Sequence, residues 1–177
     1  MASDIKKRSI EITIQTEFKP YVKSSWLRSV IKHALLHENP SLSSSLSVAI
    51  TDDPTIRKLN LQFRNFDEIT DVLAFGNHGE FEIESHQFPA KEIEFPKHGD
   101  SLFNLGEVIV SYPQALRQAE ENAVSIDSEV ALLVIHGILH LLGYEHHTND
   151  QEIFMKKTQA NILSSFLEKS TGDPNGQ

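Results

Sequence analysis

The sequence predicts a single α/β domain, a small mixed sheet flanked by helices over residues 1–169, followed by a disordered tail at 170–177. Three observations carry this. Ile10, Ile12 and Ile14 alternate with polar residues, as do Leu46, Val48 and Ile50, and a period of two marks half-buried strands. Apolar residues at helical spacing follow each of these segments. The chain has 177 residues, 39% of them apolar, which suits one core of ordinary size. Strands alternating with helices point to layered α/β architecture.

Taken in order, the first strand centres on Ile10–Ile14. Pro20 and the Ser24-Ser25 pair break the chain. Trp26, Leu27, Val30, Ile31, Ala34 and Leu35 then trace a helix that stops before Pro40. The second half of a serine-rich stretch, around Leu46–Ile50, reads as a strand. Asp52 or Asp53 can cap a helix with Pro54 in its first turn and Arg64 near its end. Val72, Leu73 and Phe75 suggest a short strand. Residues 76–103 show no regular period and read as a long excursion rather than a second domain. Glu107–Ser111 is a buried strand. Ser111 with Pro113 opens a helix to about Asn122, and Ser125 caps another to about Leu142. Thr148 and Gln151 match a capping box for a last helix to about Glu168.

Composition removes several chemistries. There is no cysteine, which excludes disulfides, thiolate-bound metal and a cysteine nucleophile. The longest apolar run, Val130 to Ile135, is six residues, against about 20 for a membrane-crossing helix. No apolar stretch backs the basic N-terminal residues, so no export signal and a cytoplasmic location are expected. The net charge of −9 conceals a split. Residues 1–64 carry ten basic and six acidic side chains, and the remainder carry six and 19. A basic third can still present a positive face to a polyanion.

The densest chemistry lies in residues 134–147. His136 and His140 are four apart on an expected helix and share a face. Two such imidazoles can reach one zinc ion. Gly143 lets the chain leave the helix and fold back, bringing His146 as a third ligand. Three protein ligands leave one position open, as in catalytic rather than structural zinc sites. Imidazoles also accept other transition metals. His147 competes for the third place, but the spacing favours His146. His33, His37, His78, His86 and His98 read as surface residues. Metzincin proteases share the histidine spacing but need Glu after the first His. Gly137 stands there, which argues against proteolysis, and Glu145 lies outside the helical pair.

The segment His136–His146 resembles the signature His-Gly-x-Leu-His-Leu-x-Gly-Tyr-Asp-His of the YbeY family of metal-dependent rRNA-maturation endoribonucleases, with Glu145 in place of Asp. Upstream, Leu59-Asn60 with Phe63-Arg64 resembles the family's Leu-Asn-x2-Tyr-Arg element. Thr70–Gly76 resembles Thr-Asp-Val-Leu-Ser-Phe-Pro, and Leu105–Ser111 resembles the Leu-Gly-Asp-Ile strand. The resemblance covers about residues 45–168. Ala74 and Gly76 depart from the pattern. So does Gln159, which stands where many members have Glu and is read as touching no proposed ligand.

The resemblance implies one α/β domain with zinc at the end of a cleft, held by His136, His140 and His146, and Arg64 as a catalytic cleft residue. It implies cleavage of single-stranded RNA in the cytoplasm, in ribosomal RNA maturation at the 3′ end of small-subunit rRNA and in ribosome quality control. The ribosomal small subunit and assembly factors are the expected partners. Arg64 would neutralise charge on the phosphate. Asp71 is the nearest motif acid, with a supporting or capping role as open as that of a base. A non-catalytic, zinc-containing ribosome-assembly factor is the alternative.

Overall fold

The computed structural model describes residues 8–39, 44–76 and 103–171. The elements are β1 (Arg8–Ile14), a 3-10 turn (Thr16–Phe18), α1 (Ser24–Glu38), β2 (Ser44–Thr51), α2 (Asp53–Arg64), β3 (Val72–Gly76), β4 (Phe103–Ser111), α3 (Tyr112–Glu121), α4 (Ile126–Leu141) and α5 (Asn149–Thr171). Four strands form one sheet in the order β1-β2-β4-β3. β1 and β4 run parallel to β2 on either side, and β3 runs antiparallel to β4.

The period of two in β4 divides the core. Leu105, Val108 and Val110 face the main cluster, shared with α1, α4 and α5. Ile109 points the other way, to Ile56 of α2 and Leu73 of β3. α4 is therefore an interior helix: Val130, Ala131, Val134, Ile135, Ile138 and Leu139 are all essentially inaccessible. Each large aliphatic side chain so buried contributes about 1.5–3 kcal/mol of transfer free energy. An interior helix can pack closely where its residue is small. A Cβ at Gly137 would stand 2.6 Å from Cγ1 of Val108, so glycine lets α4 lie directly on β4.

Local chemistry sets the helix starts. Asp52 caps α2, its Oδ1 accepting from the Thr55 amide at 2.9 Å. Asp53 instead accepts from Oγ of Ser111 at 2.6 Å and from Arg117 at 2.8 Å. Ser111 and Ser125 cap α3 and α4. At α5 the capping box is reciprocal: the Thr148 amide donates to Gln151 Oε1 at 3.1 Å, and the Gln151 amide donates to Thr148 Oγ1 at 3.3 Å.

Several boundaries differ from the sequence expectation. β4 begins at Phe103, four residues early, because Leu105 is a bulge: Ser45 pairs with Asn104 and Leu46 with Gly106. The extra residue interrupts the alternation. Ser170 and Thr171 complete α5, so the expected tail begins too early, and 172–177 lie outside the described residues. The excursion at 77–102, with His78, His86 and His98, also lies outside them. His33 lies only partly at the surface. It is partly buried, its Nε2 lies 2.7 Å from Oγ of Ser165, and its ring packs on Phe166.

Candidate metal centre

The C-terminal end of α4 shapes the site. Gly143 takes φ 87°, its amide donates to the His140 carbonyl at 3.0 Å, and the Tyr144 amide donates to the Leu139 carbonyl at 3.0 Å. This pair of bonds is a Schellman motif, which requires the left-handed residue that glycine supplies at least cost. The chain reverses there and returns His146 toward the helix.

His136 and His140 present their Nε2 atoms to each other at 3.1 Å. Nδ1 of His136 lies 2.9 Å from Oε1 of Gln159, and Nδ1 of His140 lies 2.9 Å from the Tyr144 carbonyl. A carbonyl oxygen only accepts, so each Nδ1 is the donor, and in the neutral imidazole that leaves the lone pair on Nε2. Two lone pairs at this distance repel unless a cation stands between them. Two nitrogens on one tetrahedral zinc, at about 2.0–2.1 Å each, are roughly 3.3 Å apart, so the pair fits such an ion. Burial, then His136 and His146, push the His140 imidazole down to about 4. It is thus unprotonated at neutral pH, as a ligand must be.

The His146 ring centre lies 5.1 Å from that of His140 and 6.4 Å from that of His136. Three imidazoles on one tetrahedral ion place their ring centres roughly 5 Å apart. His146 therefore has to swing toward His136 to complete a trio. Among the described residues, no three ligating side chains close on one point as they stand. His147 turns outward, 73% exposed, with Nε2 3.2 Å from Glu145.

A cleft of about 490 Å³ opens over the pair, lined by Arg64, Asp71, Glu145 and the histidines. Arg64 ends α2, where Asn65 adopts φ 61°. Asn60 ties the following loop, its Nδ2 donating to the Glu68 carbonyl at 3.0 Å. Arg57 grips Asp67 through two bonds of 2.8 and 2.9 Å. Arg64 itself stays exposed, its charge 6.0 Å over the Phe75 ring and Nη2 3.4 Å from the Ala74 carbonyl.

The acids in the cleft differ. Asp71 has both oxygens engaged: Oδ1 accepts from the Val72 amide at 2.7 Å, and Oδ2 from Gln118 at 3.0 Å. It is a structural clamp on the β3 entry. Glu145, set aside in the sequence because it lies outside the helical pair, is on the cleft wall. Gln159 requires a correction of the opposite kind. It does touch a proposed ligand, holding His136 from α5. Sequence spacing could not reveal this, because the contact depends on how α5 packs on α4.

The endoribonuclease YbeY family profile matches residues 8–167. A relative from Dehalococcoides mccartyi named endoribonuclease YbeY is 39% identical over 159 residues, covering 90% of this chain and 93% of the relative. One of the same name from Bacillus cereus is 35% identical over 161 residues, 89% and 95% of the two chains. Another, from Clostridium botulinum, is 32% identical over 165 residues, 92% and 96%. The solution structure of a Thermotoga maritima protein aligns at a TM-score of 0.53 and 22% identity, covering 95% of this chain and 99% of that one. That likeness speaks to the fold alone. The signature histidines, the Arg64 element and the profile match over the sheet and all five helices lead to one conclusion: this chain belongs to the endoribonuclease YbeY family.

Proposed function

We propose that this chain is a zinc-dependent endoribonuclease that cuts single-stranded RNA, acting in the cytoplasm on ribosomal RNA during maturation of the small subunit. The observation that supports it most is the pair of Nε2 atoms 3.1 Å apart at a cleft that also holds Arg64, in a chain whose relatives are named endoribonucleases. His136, His140 and His146 would hold the ion. When bound, zinc supplies polarisation of a phosphoryl oxygen and an acidified water.

The chain's own groups supply the remainder. Gln159 and the Tyr144 carbonyl keep each Nδ1 protonated, so each Nε2 remains a lone-pair donor. Arg64 presents a planar fork to the non-bridging phosphate oxygens and offsets the charge that builds on them. Its contact with Phe75 orients the guanidinium without neutralising it. With Asp71 committed to Val72 and Gln118, Glu145 on the cleft wall would serve as the proton acceptor only on release from His147, 3.2 Å away. The positive balance of residues 1–64 favours a polyanionic substrate.

The test is labelled single-stranded and duplex RNA incubated with purified protein of measured metal content. The assay is repeated after chelation, after zinc add-back, and with His140→Ala. Cleavage that tracks zinc and is lost in the variant is expected. The second reading, a zinc-containing assembly factor without catalysis, is favoured by one observation: both carboxylates lining the cleft are already engaged, Asp71 by Val72 and Gln118 and Glu145 by His147. Stoichiometric zinc with no cleavage would select it.

A further inference from the structure

Glu38 is buried where physics opposes it. It is the last residue of α1 and only 3% exposed. A carboxylate at a helix C-terminus faces the negative end of the helix dipole, and burying it adds a desolvation cost. The residue persists there with both oxygens engaged. Oε1 lies 2.8 Å from Nδ1 of His37, and Oε2 accepts a hydrogen bond from the Tyr144 hydroxyl. Tyr144 is itself 6% exposed, and a carboxylate oxygen only accepts, so the hydroxyl is the donor of this pair.

Tyr144 occupies a particular place. Its amide completes the Schellman motif, its carbonyl accepts from Nδ1 of His140 at 2.9 Å, and two residues later comes His146. Its ring stacks on Phe154 of α5, centres 5.8 Å apart and planes 6° from parallel. Stacking fixes the plane of a ring but lets it slide within that plane. The hydroxyl anchor on α1 removes that freedom.

We propose that Glu38 is a positioning residue for the metal centre: through the Tyr144 hydroxyl it fixes the peptide that orients His140 and launches the chain toward His146. Nothing in the signature segment points to it, since 106 residues separate the partners. The inference rests on the metal-binding reading above.

The experiment compares full-length wild type with Tyr144→Phe, Glu38→Gln, Glu38→Ala and the Glu38→Ala/Tyr144→Phe double variant. Three quantities are measured: the zinc dissociation constant by competition with a chromophoric chelator, the visible spectrum of the cobalt(II) form, and the melting temperature without metal. Tyr144→Phe and Glu38→Ala should each weaken zinc binding about 10–100-fold, the scale of lost outer-shell support, and alter the cobalt bands. Glu38→Gln should recover most of the affinity, because its amide oxygen still accepts from the hydroxyl. The double variant should bind no more weakly than the weaker single, since both remove one link. Unchanged zinc affinity and cobalt spectra with a lowered melting temperature would make Glu38 a purely structural residue and overturn the proposal. Should Glu38→Ala fail to fold, Tyr144→Phe, which loses only the hydroxyl, decides by the same two readings. A wild type that takes up no metal overturns the metal-binding reading and this inference together. Tight binding in wild type and all variants overturns this inference alone.

Discussion

Gly137→Ala isolates the close packing of α4 on the sheet. The new Cβ would lie 2.6 Å from Cγ1, 3.0 Å from Cγ2 and 3.4 Å from Cβ of Val108. Val108 is fully buried and paired on both sides, with Val48 and Ala74. Its side chain is stiff at χ1, and because both methyls are crowded, rotation exchanges one clash for another. Overpacking of this kind costs about 1–3 kcal/mol. Removing a glycine from a helix interior returns about 1 kcal/mol. The expected net is a loss of about 1 kcal/mol, a drop of roughly 2–4 °C in melting temperature for a chain of this size. Val108→Ala alone should cost about 2 kcal/mol through a cavity. The double variant should cost less than the sum by about 1–2 kcal/mol, since the new methyl fills the vacated space. Urea unfolding followed by far-UV circular dichroism and by fluorescence of Trp26, the one tryptophan, measures all three. A Gly137→Ala protein stabilised by the full helix-propensity gain, with additive behaviour in the double variant, would refute the contact. The same geometry bears on chemistry: the Cβ of a metzincin-type glutamate at 137 would meet the same Val108 methyls and carry the same packing cost.

Other outcomes follow from the same site. His146→Ala should lose bound metal and His147→Ala should retain it, as read by metal analysis of the purified proteins; the reverse would mean that the turn after Gly143 delivers a different ring. Arg64→Ala should leave zinc content and melting temperature unchanged, because the residue is exposed, yet lower RNA cleavage by about a hundredfold or more. Arg64→Lys should restore only part of the rate, for want of the bidentate fork; full recovery with added RNA would assign Arg64 to binding alone. His33 has its pKa lowered from 6.5, first by burial and then by the charges of Lys169 and His37. The unfolded chain therefore binds more protons than the native state below 6.5, so this contribution to stability is full above 6.5 and is lost as the pH falls. The melting temperature of wild type should fall relative to that of His33→Gln as the pH drops below 6.5, and parallel curves would remove His33 as the source.

What could be read from the sequence is what depends on near neighbours along it. The His136–His140 spacing, the turn at Gly143, the Asp52, Ser111 and Ser125 caps and the Thr148–Gln151 box are all set within six residues, and helix geometry fixes them before any packing occurs. The bulge at Leu105 was invisible because only its partner strand defines an extra residue. Gln159 and Glu38 were invisible for the same reason in three dimensions: each meets its partner across 23 and 106 residues. The histidines alone supply nitrogens near one point. Whether those nitrogens carry lone pairs depends on oxygen acceptors at the other side of each ring, and those acceptors come from α5 and from the peptide that α1 holds. A site of this kind is therefore written twice: once as a short motif that names the ligands, and again as scattered contacts that decide which way each ligand faces.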